Sequence, residues 1–215
     1  MTVKERLKAL NVPSVLEVTG NRVETAEEWE KIRPLVREMM YKCEYGYIPE
    51  KPEKVTFEIK ETDERFCAGK STRLDIELTS VINGEEFTFP FTYVYPSKVQ
   101  GKVKAFVCIN FRPDVPDKYI PTEEIIDNGF AIASFCYQDV TSDDGDFTNG
   151  LAGIIYKDKE RTLYSPGKIA MWAWAAMRVM DYAQTLPELD HSHITVIGHS
   201  RLGKTALLTG MLDDR

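Results

Sequence analysis

Apolar and polar residues alternate in three stretches between Val55 and Tyr93, a period of two that predicts strands with one face turned inward. Val55, Phe57 and Ile59 mark the first, Leu74, Ile76 and Leu78 the second, and Phe87, Phe89, Phe91 and Tyr93 the third. Asn83-Gly84 lies between the last two and is a strong two-residue hairpin signal, so this portion reads as antiparallel. Beyond Gly101 the pattern changes. Residues 103–109, 130–137 and 194–197 are short apolar runs with helical signals between them, which predicts parallel strands covered on both faces. Thr122, Glu123 and Glu124 start a short helix that closes at Asn128-Gly129. A longer one carries Ile169, Trp172, Ala173, Ala176, Val179, Met180 and Ala183 on one stripe, with Ser165 as its expected cap and Pro166 in its first turn. An earlier helix opens on the capping box Thr25-x-x-Glu28 and presents Trp29, Ile32, Val36, Met39 and Met40. Pro34 inside it predicts a kink or a restart, and Tyr45-Gly46-Tyr47-Ile48-Pro49 ends it. Residues 1–24 are weakly patterned and read as an extension ahead of one α/β domain, 25–215.

Composition narrows the picture. With 215 residues, 43% of them apolar, the chain can bury a sizeable core and lacks the signature of disorder. A net charge of −7 argues against a nucleic-acid partner, which needs a basic face. No run approaches the ~20 apolar residues of a membrane span. The N-terminus lacks the apolar segment of a signal peptide, so the expected location is cytoplasmic as written, or secreted or periplasmic if a leader precedes it. Cys43, Cys67, Cys108 and Cys136 show neither a C-x-x-C pair nor zinc spacing. Cys108 and Cys136 are expected as reduced core residues; neither a disulfide, a metal nor an organic cofactor is expected.

The chemistry concentrates where the last apolar run meets the following helix, Ile197-Gly198-His199-Ser200-Arg201-Leu202-Gly203-Lys204-Thr205. Two signatures overlap. Gly198-x-x-x-x-Gly203-Lys204-Thr205 satisfies the phosphate-loop pattern, with Lys204 for terminal phosphates and Thr205 for Mg²⁺. The same residues fit a nucleophile elbow, with Ser200 lifted above the sheet on a sharp turn and the helix N-terminus facing a developing oxyanion. Context favours the elbow: a phosphate loop follows an early strand, whereas this one comes late and leaves 15 residues after Ser200 (215 − 200).

The elbow departs from G-x-S-x-G, since Leu202 takes the place of the second glycine. In that displaced form, Gly198-x-Ser200-Arg201-x-Gly203-Lys204, it resembles the glucuronoyl esterase family of carbohydrate esterases. The Tyr45–Pro49 stretch, the Ala/Trp-rich helix with Arg178, and Asp190 before the elbow strand agree with it. The resemblance implies an α/β-hydrolase: a mostly parallel sheet with helices on both faces, an antiparallel N-terminal edge, and truncation at the C-terminal side. It further implies Ser200 as nucleophile, Arg201 as the arginine stabilising the oxyanion, and Lys204 as a ligand of uronate hydroxyls. The implied substrate is a 4-O-methyl-glucuronoyl ester linking xylan to lignin, cleaved without cofactor. An acetyl-xylan or other carbohydrate esterase, a nucleotide-binding protein and a non-catalytic hydrolase-like domain stay open.

Other candidates are weaker. Asn110-Phe111-Arg112-Pro113 is where a second oxyanion donor would lie, from the N–H of Phe111 or Arg112, since Pro113 has none. The acidic run 139–146 borders the same edge and invites a calcium reading, but aligning Gly145 with position six of an EF-hand places Val140 at position one. A solvated loop is expected there. His191 and His193 precede the elbow strand and His199 lies in the turn, so none is expected as the base. The triad acid and histidine are expected beyond Arg215. This chain alone is therefore expected to be inactive, with an open apolar edge at 194–197 that invites association.

Overall fold

The computed structural model describes residues 1–10 and 14–215; residues 11–13 of the extension lie outside the described residues. In chain order the elements are α1 (Val3–Ala9), α2 (Ala26–Met40), β1 (Lys54–Arg65), α3 (Phe66–Gly69), β2 (Ser71–Ile82), β3 (Glu85–Pro96), β4 (Val103–Asn110), α4 (Thr122–Asp127), β5 (Phe130–Cys136), α5 (Tyr137–Val140), α6 (Gly150–Ile155), α7 (Lys168–Ala183), β6 (Leu189–Gly198) and α8 (Arg201–Leu212). The six strands form one sheet in the order β1-β2-β3-β5-β4-β6.

The antiparallel edge makes up half of this mixed sheet. Strands β1, β2 and β3 run as a meander, and β3 also meets β5 antiparallel. The hairpin turn falls at Asn83-Gly84, both with positive φ, as the sequence predicts. Strands β5, β4 and β6 are mutually parallel. The chain steps outward from β4 to β5 through α4, then returns through α7 to β6 on the other side of β4. The two crossovers cover opposite faces. Ile126 of α4 packs with Val94, Cys108 and Ile132, whereas α7 buries Met171, Trp172, Trp174 and Val179 against Phe87, Phe89 and Phe135.

Several local expectations are corrected. The weakly patterned extension holds α1, closed by a Thr2–Glu5 capping box, although none of its residues is buried. Helix α2 does not restart at Pro34 but runs through it as one element; the carbonyl that Pro34 cannot serve belongs to the exposed residue Glu30, so its loss is tolerated. Ser165 does not cap α7. Its hydroxyl accepts from the Thr162 N–H (2.8 Å), and Gly167 takes the cap position. Tyr137 leaves the strand, because β5 ends at Cys136 and a helical turn follows. Strand β6 begins at Leu189, five residues early, through a register shift against β4. Cys108 and Cys136 are buried free thiols, and burial pushes that of Cys108 up to about 12, out of thiolate chemistry. No helix among the described residues is long and apolar enough to cross a membrane.

Candidate active site

Because β4 lies between β5 and β6 and its two crossovers leave on opposite faces, a crevice opens at the carboxyl ends of β4 and β6. This is where open α/β sheets receive ligands. A cavity of about 710 Å³ occupies it, lined by Asn110, Phe111 and Arg112 after β4, Tyr119 and Ile120 from the following loop, and His199 and Ser200 after β6.

Ser200 is the corner itself. Its backbone sits at φ +57°, ψ −122°, between the last residue of β6 and the first of α8. A non-glycine residue there stores about 1–3 kcal/mol of strain and persists only where the surroundings impose it. They do so here. Leu202 and Leu208 anchor α8 in the core. The Leu202 N–H closes the turn on the His199 carbonyl (2.9 Å) and that of Lys204 on the Ser200 carbonyl (3.2 Å). Helix and strand cross so closely that a Cβ on Gly198 would lie 2.3 Å from the Leu202 carbonyl oxygen. The Ser200 hydroxyl is exposed and makes no capping bond, so it is free to react. At the N-cap of α8 it lies at the positive end of the helix dipole.

Arg201, next in the chain, borders a second cavity of about 360 Å³ together with Glu44, Asp143, Lys168 and Trp172. Its guanidinium donates to Asp143 Oδ2, which also accepts from the Tyr137 hydroxyl (3.0 Å). Burial, followed by the bond to Asp143, holds the Tyr137 phenol above its ordinary range. Asp143 belongs to the acidic run expected to be a solvated loop; Asp144, Gly145 and Asp146 are exposed as expected, whereas Asp143 turns to Arg201 and Tyr137. Lys168 Nζ enters the loop and donates to Thr141 Oγ1 (3.0 Å), Ser142 Oγ (3.3 Å) and the Asp146 carbonyl. Asn149 Oδ1 accepts from the Ser142 N–H (3.0 Å) and closes it. An ammonium stands where the calcium reading would need a cation. Burial lowers the Lys168 pKa, partly opposed by Asp144 and Asp146.

Lys204 Nζ donates to Glu44 Oε1 (3.0 Å), near the end of the π turn that follows α2, and Glu44 borders the same cavity as Arg201. Thr205 is fully buried and donates to the Arg201 carbonyl (3.0 Å). The phosphate-loop reading loses its Mg²⁺ ligand and its free lysine, and the sharp corner replaces the open ring of amides it needs.

The loop after β4 departs from expectation too. The Phe111 N–H is already taken by Asn110 Oδ1 (2.8 Å), so it is not a free oxyanion donor. The Arg112 side chain forks onto Asp117 through Nε (3.1 Å) and Nη2 (2.5 Å). His199 sets its ring edge-on to Phe111. His191 pairs with the Leu186 carbonyl, and His193 Nδ1 meets both Asp190 Oδ2 (2.8 Å) and Ser192 Oγ (3.0 Å) at the opposite end of β6. Serine and aspartate there contact the same ring nitrogen, so no proton relay crosses that imidazole.

Comparison with known proteins places this corner in a family. The profile described as "Glucuronyl esterase, fungi" matches residues 78–215. The chain is 25% identical over 240 residues to Carbohydrate esterase MZ0003 of an unknown prokaryotic organism, covering 92% of this chain and 54% of that protein. With a 4-O-methyl-glucuronoyl methylesterase of Schizophyllum commune it shares 26% over 198 residues, covering 91% and 45%. Among solved structures, the glucuronoyl esterase from Solibacter usitatus superposes with a TM-score of 0.80 at 24% identity, covering 94% of this chain and 60% of that one. A CE15 glucuronoyl esterase from Teredinibacter turnerae gives 0.79 at 25%, covering 97% and 56%. The fold is that of the α/β-hydrolases, and the chain spans about half the length of the curated relatives it matches.

Proposed function

Starting from a chain that belongs to the glucuronyl esterase family, we propose that it carries the nucleophile and oxyanion arginine of a serine ester hydrolase acting on uronate esters of plant cell-wall polysaccharide. The observation that carries the proposal is the exposed, uncommitted hydroxyl of Ser200, held on a strained corner at a helix N-terminus. In the proposed reaction Ser200 Oγ attacks the ester carbonyl carbon and its proton passes to a general base. The carbonyl oxygen takes up the negative charge and faces the guanidinium of Arg201. Collapse breaks the bond to the alcohol, which leaves with that proton, and an acyl-serine remains. Water then attacks the acyl carbon and gives a proton to the base, the bond to Ser200 Oγ breaks as that proton returns to the oxygen, and the released uronic acid ionises in solvent.

Lys204, on the same helix and one turn beyond the corner, is the proposed donor to sugar hydroxyls; Glu44 holds its ammonium above the usual lysine range. The leading substrate is the ester between a 4-O-methyl-glucuronoyl group and a lignin alcohol. Such an ester is met outside the cell or in the periplasm, which is the setting the reading carries.

The test is hydrolysis of benzyl glucuronate and of an acetylated xylo-oligosaccharide by the full-length protein, beside a Ser200→Ala variant. Turnover of the uronate ester is expected, and the variant should lose about 10⁵-fold or more in kcat, as serine hydrolases do. Faster turnover of the acetyl ester would move the substrate to acetylated sugars. Undiminished turnover by Ser200→Ala would remove the corner from the chemistry.

A further inference from the structure

We propose that Asp143 is a positioning residue for Arg201: with Tyr137 behind it, its carboxylate holds the guanidinium in the orientation that meets the oxyanion. The inference rests on the esterase reading and deepens it by naming what aims the arginine.

Arg201 stands at the first turn of α8 with half of its side chain exposed, 51%. A long side chain in that position samples many rotamers, whereas electrostatic catalysis needs its donor in place before charge develops. The fold supplies the restraint from a distant part of the sequence. Asp143 follows β5 and Arg201 follows β6, and because β4 pairs with both strands the two residues emerge at one edge of the sheet.

Asp143 is itself fixed twice. Its side chain is only 21% exposed and Oδ2 accepts from the Tyr137 hydroxyl. Tyr137 is buried and wedged edge-on between the rings of Phe111 (5.4 Å) and Trp172 (4.8 Å). The loop carrying Asp143 is cross-linked by Lys168 Nζ, and the Trp172 Nε1–H donates to the Thr141 carbonyl (3.2 Å). Lys168 and Trp172 both come from α7. A chain of contacts therefore runs from the core through Trp172, Tyr137 and Asp143 to the guanidinium. An ordinary exposed ion pair has no such backing and contributes little. The same commitment excludes Asp143 as the triad acid, because its carboxylate is turned to Arg201 and Tyr137 and not to a histidine.

The test is a double-mutant cycle in the full-length protein with benzyl glucuronate as substrate. Asp143→Asn should lower kcat about 10- to 100-fold while KM moves less than about threefold, since an interaction made in the transition state is lost. In an Arg201→Ala background the same substitution should cost less than about twofold, because its effect runs through the arginine. Asp143→Glu should recover part of the loss. Tyr137→Phe should give a smaller loss of the same kind, and serves if Asp143→Asn does not fold.

A readout independent of turnover is the NMR signal of the Arg201 guanidinium, expected as restricted in the wild type and averaged by free rotation in Asp143→Asn. Unchanged guanidinium dynamics, a kcat within twofold of wild type, or an equal loss in both backgrounds would each overturn the proposal. The Ser200→Ala control separates that result from failure of the esterase reading, because only the latter leaves uronate turnover untouched by loss of Ser200.

Discussion

The two halves of the sheet are built to different ends. Between β2 and β3, twelve residue pairs run from Ser71↔Pro96 to Ile82↔Glu85 without a break, and Phe87, Phe89, Phe91 and Tyr93 line up on one buried face. Between β4 and β6 the ladder is short and slips between Val103 and Ala105. The antiparallel half folds back on itself through short connections, so its strand ends alternate between the two edges. In the parallel half all three strands finish at one edge, and the loops after Asn110, Cys136 and Gly198 converge there. Regular β2–β3 pairing and aromatic packing sit on one side, although β1 slips against β2 between Ile59 and Glu61 and the turn joining them holds Cys67 and Ala68 at positive φ. On the other sit the strained Ser200, the buried Asp117 and the Arg201–Asp143 pair. The difference is one of placement: the parallel half gathers its charged groups and the strained serine at one edge, beside a cavity, where they can act together.

If that division is right, damage to each half should be read by a different instrument. Leu78 of β2 is fully buried in the main core. Leu78→Ala should cost about 2–5 kcal/mol of stability by denaturant unfolding, while kcat/KM of the molecules still folded stays within twofold. A parallel loss of kcat would break the comparison. Gly198→Ala probes the other half. Its Cβ would fall 2.3 Å from the Leu202 carbonyl oxygen, which is backbone and cannot swing away. Strand and helix must part, at about 1–3 kcal/mol, and the Ser200 corner opens with them. Here kcat should fall by far more than the stability loss explains. A variant with normal kcat would mean that the close crossing does not set the serine.

Much of this was legible in the residue pattern, for identifiable reasons. Period-two alternation and Asn83-Gly84 marked the antiparallel half because each strand there has one buried face and one turn chemistry. The corner was legible because Gly198 and Gly203 meet the steric need of a strand and helix that cross closely, with Ser200 between them. What stayed hidden is what depends on strand order. Asp143 and Arg201 are 58 residues apart and meet only because β4 separates β5 from β6. A run of acidic residues carries no sign of which one turns inward, nor that Lys168 will fill the loop. Ser165 misled for a local reason: its hydroxyl found the Thr162 N–H within the preceding turn, and Gly167 was left to begin the helix.

Asp117 offers the finest test, because it is a stabilising device placed in the functional half. Its carboxylate is buried, 2% exposed, beneath the loop after β4. Burial alone would raise its pKa. The fork from Arg112, the Asn110 amide (3.0 Å) and the Tyr119 N–H (3.2 Å) outweigh it and hold the group below the ordinary carboxylate range. A carboxyl whose folded pKa is depressed contributes stability that is fully present above its unfolded value, about 3.9, and is lost as pH falls through the folded one. Asp117→Asn should therefore cost about 1–3 kcal/mol near pH 6.5, and the gap to wild type should narrow as the medium is taken below pH 4. Thermal melts of both proteins across that range measure the difference directly, since other titrating groups are common to the pair and cancel. A gap of constant size would show that Asp117 stabilises by shape and not by charge. The parallel half would then owe its order to packing, as the antiparallel half does.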